Sequence, residues 1–283
     1  MMTIISLLLL ASLLPHLTFT ARANVGIVNG REAKPHSRPY MVSVQFKEHH
    51  ICGGFLVSDR FVMTAAHCRN KHVNLMVVVG AHDLSNSEIL DHISVRNYIP
   101  HPDYIICNLQ NDIMLLMLYK KVRLNNNVGL ISLPKNNKDV SVDTLCSVAG
   151  WGRLWTTGSP SDRLMEANVT TLNHEECQRK WELSYSALQM ICAYGSGGSC
   201  KGDSGGPLVC GDTAVGVTSF GSNKLCNSPE QPNVYTKISA YVPWIHQNIR
   251  KKKKKKQAQK SLFLFYIYIY INLFLFSRVI FVP

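Results

Sequence analysis

Short β-branched and apolar runs, each bounded by Gly, Pro, Asn or Asp, recur through most of this chain and leave few folds open to it. They fall at residues 41–46, 61–66, 75–81, 113–118, 146–151, 207–210, 214–220 and 233–239. Strands this short, closely followed by turn residues, predict an all-β sandwich or barrel architecture. A polar stretch at residues 125–127 and 135–139 divides two strand-rich halves, and no repeat suggests a propeller or solenoid. One terminal helix is predicted, because Tyr241, Val242, Ile245 and Ile249 fall at helical spacing and Pro243 is tolerated in a first turn. With 283 residues, 46% hydrophobic and 17% charged, the chain can bury a core. That excludes both disorder and a scaffold held by disulfides alone.

The N-terminal 23 residues read as a secretory signal. An apolar run over residues 4–14 is followed by Pro15 and by the small-x-small pattern Ala21-Arg22-Ala23. Nine cysteines follow, at 52, 68, 107, 146, 177, 192, 200, 210 and 226. In an oxidising compartment most should pair, and an odd number leaves at least one over. None has the C-x-x-C spacing of a zinc knuckle or redox centre, so no metal is expected.

The formal charge of +12 suggests a polyanion binder until its distribution is read. Eight of the 30 Lys and Arg lie in residues 251–283 and one is Arg22, which leaves 21 against all 18 acids in residues 27–250. That near balance argues for no nucleic-acid partner. After Arg250 come six Lys and then an apolar run over residues 262–276, interrupted by Asn272. Its vocabulary of Lys, Ile, Tyr, Phe, Leu and Asn is that of translated AT-rich non-coding DNA. The alternative is a basic flank with a membrane anchor. The tail is not expected to join the fold, and a membrane partner is expected only if it is genuine.

The segment Gly202-Asp203-Ser204-Gly205-Gly206-Pro207 carries the strongest chemical signal, with a chance occurrence of about one in ten million per position. A Gly-rich turn between strands is the bland reading. Two other segments weigh against it: Thr64-Ala65-Ala66-His67-Cys68 ends an apolar run with a histidine, and Asn111-Asp112-Ile113 begins one with an acid. A neutral Ser hydroxyl is a poor nucleophile; it needs a base, and the base needs a partner that fixes its tautomer. Asp103 is the rival acid, but it lacks a following apolar strand to bury it. His49, His72, His82, His92, His101 and His174 sit in polar surroundings and are expected on the solvated surface.

The order His, Asp, Ser resembles that of the chymotrypsin family, and residues 27–250 look like a trypsin/chymotrypsin-like serine protease. The resemblance implies two six-stranded antiparallel β-barrels, at about 27–135 and 136–250, with a C-terminal helix. It implies that His67 is general base and acid, Asp112 its orienting partner and Ser204 the nucleophile. The N–H groups of Gly202 and Ser204 would form the oxyanion hole. Ile27-Val28-Asn29-Gly30 resembles the start of a mature enzyme, whose new amine would pair with Asp203. Gly26 precedes it, so the activating peptidase should not be trypsin-like. Residues 24–26 would be a short propeptide. Residues 32–41 and 50–55 resemble granule proteases: granzymes, mast-cell chymases and cathepsin G.

The resemblance also implies the bridges Cys52–Cys68, Cys146–Cys210, Cys177–Cys192 and Cys200–Cys226. It leaves Cys107 as a free thiol or as the link of a disulfide dimer. It places Gly198, six residues before the nucleophile, where trypsin-like members carry an Asp, and so disfavours cleavage after Arg or Lys. Asn233 would stand on the far pocket wall, while Ser219, Phe220 and Gly221 would pair with the substrate backbone. A large uncharged residue before the scissile bond is the expected preference. Lys201 beside the nucleophile loop is either a solvated rim residue or a selector of nearby acids.

The expected protein is thus a secreted or granule-stored endopeptidase acting on proteins or peptides. It would need no cofactor and would be open to proteinaceous protease inhibitors. A catalytically silent binding protein on the same fold and a membrane-tethered protease are the alternatives. Asn168-Val169-Thr170 is the N-glycosylation sequon of the mature region.

Overall fold

The computed structural model describes residues 27–69, 74–85, 91–250 and Ile267. The signal and propeptide readings, the tail reading apart from Ile267, and His72 lie outside the described residues. Among the described residues no helix is long and apolar enough to cross a membrane.

After the short strand β1 (Arg31–Glu32), the strands β2 (Met41–Phe46), β3 (His49–Ser58), β4 (Phe61–Thr64), β5 (Met76–Val79), β6 (Asp91–Pro100) and β7 (Met114–Leu118) form the first barrel. It closes in the order β2-β3-β4-β7-β6-β5, antiparallel throughout. β4 and β7 are buried along their whole length, with Met63 opposite Leu115 and Val62 opposite Leu116. That explains why both read as unbroken apolar runs. The second barrel comprises β8 (Leu145–Gly150), β9 (Met165–Thr171), β10 (Met190–Tyr194), β11 (Pro207–Cys210), β12 (Thr213–Phe220) and β13 (Asn233–Lys237). Its order is β9-β10-β13-β12-β11-β8, and the β8–β9 ladder closes it. The expected pair of six-stranded barrels is therefore present. Residues 242–250 form the expected terminal helix.

The sequence pattern misses β3, β6, β9 and β10. β6 carries Asp91, His92, Arg96 and Asn97 and is mostly only partly buried, and β3 opens with two histidines and contains Gly53-Gly54. The helix α1 (His174–Trp181) corrects the expectation of a single, terminal helix. Only Cys177 of α1 is buried, so it shows no apolar stripe. Its signal is polar: Asn173 accepts from the Glu176 N–H at 2.7 Å, with Glu175 and Glu176 in the first turn and Arg179 and Lys180 in the last.

Both ends of the described stretch 27–250 cross between barrels. Ile27 is buried in the core of the second barrel and β1 extends that sheet through β9. Tyr241 and Ile245, from the C-terminal end, lie in the cluster that fills the first barrel and reaches Val209, Ala214 and Val217 of the second. This shared core fixes the two barrels against each other. Four disulfides, Cys52–Cys68, Cys146–Cys210, Cys177–Cys192 and Cys200–Cys226, pair as the resemblance implies, and Cys107 is exposed and free.

Candidate active site

His67 sits in the 3-10 turn Ala66–Cys68 directly after β4, where the disulfide from Cys68 to Cys52 of β3 ties the turn down. Asp112 precedes β7, which pairs with β4, so the two adjacent strands deliver both residues to one end of the first barrel. The Asp112 carboxylate is wholly buried. Its Oδ2 lies 2.7 Å from His67 Nδ1, and its Oδ1 accepts the His67 backbone N–H at 2.9 Å. Two contacts from the second barrel complete its cage. Ser219 Oγ donates to Oδ2 at 2.5 Å, and Thr236 Oγ1 donates to the Asp112 carbonyl at 2.9 Å. A carboxylate bound on both oxygens cannot turn, so the imidazole has one orientation with Nε2 directed away from Asp112. Burial and the Asp112 charge push the Tyr104 hydroxyl up to about 12.

The rival Asp103 is 78% exposed and lies 3.9 Å from His101. Several of the other histidines are structural rather than solvated. His82 meets Glu32 at 2.8 Å, His174 meets the Tyr185 hydroxyl at 2.6 Å, and His101 packs on Tyr241 and Trp244 with ring centroids 5.1 and 5.2 Å away. Their neighbours in sequence did not reveal these partners in space.

Ser204 is brought from the second barrel. Its carbonyl accepts from the Gly53 N–H of β3 at 2.8 Å, and Gly205 N–H donates to Thr218 at 2.8 Å. The glycines around it are sterically required. A Cβ on Gly205, which has φ +82°, would lie 2.1 Å from Thr64 Oγ1, and one on Gly202, with φ +102°, 2.8 Å from the Gly152 Cα. His50 is a residue the sequence reading used only as a family marker. Its Nε2–H donates to the Gly202 carbonyl at 2.9 Å and Ser43 Oγ lies 2.8 Å from its Nδ1. Burial holds its pKa down at about 4, so it is neutral near pH 7, with the Nε2–H tautomer that a carbonyl acceptor demands.

The Asp203 carboxylate accepts from the Gly152 N–H and the Cys200 N–H, each at 2.9 Å. It is 1% exposed, and burial, opposed by these amides, raises its pKa to about 7. Gly150 and Gly152 are further residues that the sequence reading missed, since a Cβ on either would come within 2.6 Å of the Asp203 carboxylate. The Gly-Trp-Gly spacing around Trp151 was the available signal. Alongside, Gly198 N–H donates to the Val28 carbonyl at 3.1 Å and Asn29 Nδ2 to the Ser196 carbonyl at 2.9 Å. Residues 28–29 are thereby laid against the segment leading to the nucleophile loop.

A cleft of about 400 Å³ opens beside Ser204, bordered by Ser219, Phe220, Gly221 and Asn233. Its charged lining among the described residues is Arg153, Lys201 and Lys224, all basic. Asn233 crosses it: a Cβ on Gly198 would meet Asn233 Oδ1 at 2.5 Å and one on Gly221 would meet Nδ2 at 2.5 Å. Ser219, expected among the substrate contacts, spends its hydroxyl on Asp112. Cys52, His67 and Cys68 bring three metal-ligand atoms within 4.8 Å of one another, but the two sulfurs are bonded to each other, so neither is a thiolate.

The family profile described as Trypsin matches residues 27–245. Duodenase-1 from Bos taurus is 44% identical over 232 residues, covering 80% of this chain and 90% of the relative. Cathepsin G from Homo sapiens is 41% identical over 251 residues, 86% of this chain and 94% of the relative. Granzyme B(G,H) from Mus musculus is 39% identical over 246 residues, 84% and 97%. Among solved structures, neuropsin, a serine protease expressed in the limbic system of mouse brain, superposes with a TM-score of 0.73 at 37% identity, covering 79% of this chain and all of that one.

Proposed function

This chain belongs to the trypsin family and is a granzyme-like serine endopeptidase acting on peptides or proteins, and on that premise we propose that His67, Asp112 and Ser204 are its catalytic triad. The observation that carries the reading is the buried Asp112 carboxylate held 2.7 Å from His67 Nδ1. With Nδ1 so engaged, His67 Nε2 takes the proton as Ser204 Oγ attacks the scissile carbonyl. It then returns that proton to the leaving amine. The tetrahedral oxyanion is received by the N–H groups of Gly202 and Ser204.

Cleavage before Ile27 frees an amine for Asp203, whose buried carboxyl has no ion pair among the described residues and disfavours ionisation. Asn233 shortens the specificity pocket, so Leu or Met before the scissile bond is favoured over Phe or Tyr. Arg and Lys are disfavoured, since among the described residues the charges lining the cleft are Arg153, Lys201 and Lys224. Secretion or granule storage is supported by the leader and by four disulfides, which persist in oxidising compartments.

The test is Ser204→Ala in protein beginning at Ile27, assayed on a Leu-containing chromogenic peptide alongside a thermal melt. The expected result is a loss of at least about a thousandfold in kcat with an unchanged melting temperature. A folded variant that still turns over at an appreciable rate overturns the triad.

A further inference from the structure

We propose that the substrate groove continues past the specificity pocket into a second cleft, where Arg179 and Lys224 select one acidic residue about four positions before the scissile bond. The proposal rests on the catalytic reading above. The second cleft, of about 740 Å³, lies between α1 and residues 222–231. Ser222 and Lys224 line both this cleft and the one beside Ser204, so the two adjoin.

Strand polarity says which part of a substrate enters it. β12 passes the cage of Asp112 at Ser219 and ends at Phe220, and the chain continues outward through Gly221 to Ser222. A substrate strand pairing antiparallel to it runs the opposite way, towards Ser204. The residues nearest Ser222 and Lys224 are therefore those on the N-terminal side of the scissile bond. Ser222 and Lys224 lie three and five positions beyond Ser219, which puts this cleft against about the third to fifth residue upstream.

The charges say which residue fits. Lys180 is already engaged, donating to the Pro229 carbonyl at 2.8 Å and facing Glu176 at 3.8 Å. Arg179 and Lys224 make no ion pair among the described residues. With Glu230 the remaining acid, the lining's bases exceed its acids by one, which suits a single carboxylate rather than an acidic run.

The experiment uses the chain activated at Ile27 and a peptide series with Leu before the scissile bond, differing only in Glu, Gln or Lys at the fourth residue upstream. We expect the Glu peptide to exceed the Gln peptide in kcat/KM by about fivefold, the Lys peptide to fall below both, and 0.5 M salt to erase the difference. Arg179→Ala and Lys224→Ala should each bring the Glu/Gln ratio towards one. This ratio cancels any change in basal rate, and a melt reports folding. Equal rates for Glu and Gln, or a ratio unaltered in both folded variants, overturn the proposal. If no peptide is hydrolysed, or Ser204→Ala hydrolyses as well as the parent, the catalytic reading fails and takes this one with it.

Discussion

At the scale of single residues, Asn233 decides more than its neutral side chain suggests. Nδ2 donates to the carbonyls of Ser199 and Cys226 at 3.2 and 3.0 Å, and Oδ1 accepts the Ser199 N–H at 3.0 Å. Both amide hydrogens are thus committed to the pocket wall, and the side chain is held across the space that Gly198 and Gly221 leave. Asn233→Gly should remove this bar and raise the Phe-to-Leu ratio of kcat/KM by about tenfold, the scale of one or two methylene-sized contacts. Peptides differing only at that residue provide the measurement, and an unaltered ratio would show that Asn233 does not set the pocket's depth. The same precision applies to Gly150, Gly152 and Gly205, where a methyl group has no room.

At the scale of elements, β9 shows how a strand can serve a core and a surface at once. Its alternating burial turns Ala167 and Val169 inwards and leaves Asn168 exposed. A cleft of about 310 Å³ bordered by Asn29, Gly30 and Arg31 lies beside it, with room for a first sugar. Protein secreted from a eukaryotic host should therefore carry an N-glycan at Asn168. Glycosidase treatment is expected to lower its mass, and Asn168→Gln to abolish that shift. An untreated mass equal to that of the bare chain would refute it.

At the scale of the whole molecule, residues 27–29 lie against the segment that leads to the loop of Ser204. Ile27 sits in the second core, and the Asp203 carboxyl titrates at about 7 against an ordinary 3.8. Between these values a folded chain keeps a proton that an unfolded chain releases. The contribution to stability is complete below about pH 4 and is lost as pH rises through about 7, on the order of 4 kcal/mol. On the proposed activation, cleavage before Ile27 would supply an ammonium that holds the carboxylate ionised and would remove this loss. Uncleaved protein should therefore lose more melting temperature between pH 4.5 and 7.5 than protein beginning at Ile27, and should be nearly inactive. Parallel pH profiles, or equal activity, would count against Asp203 as the partner of the new amine.

The sequence by itself determined the barrel class and the two halves, and it named His67, Asp112 and Ser204 as the candidates for the triad. Runs such as those of β2, β4 and β7 are buried along their length and need no partner to be recognised. The Gly-Asp-Ser-Gly-Gly-Pro segment is likewise legible because its glycines answer to local backbone geometry as well as to packing. Only the tertiary structure decided what distant segments do to one another. Ser219 caps Asp112 across 107 positions, His50 pins Gly202 across 152, and Asn233 reaches Ser199 across 34. Such contacts leave no periodicity in the chain, because a hydrogen bond between barrels depends on how two closed sheets meet rather than on the order of residues in either. The capped helix α1 was hidden for the related reason that its stability rests on polar ends and one disulfide rather than on an apolar face.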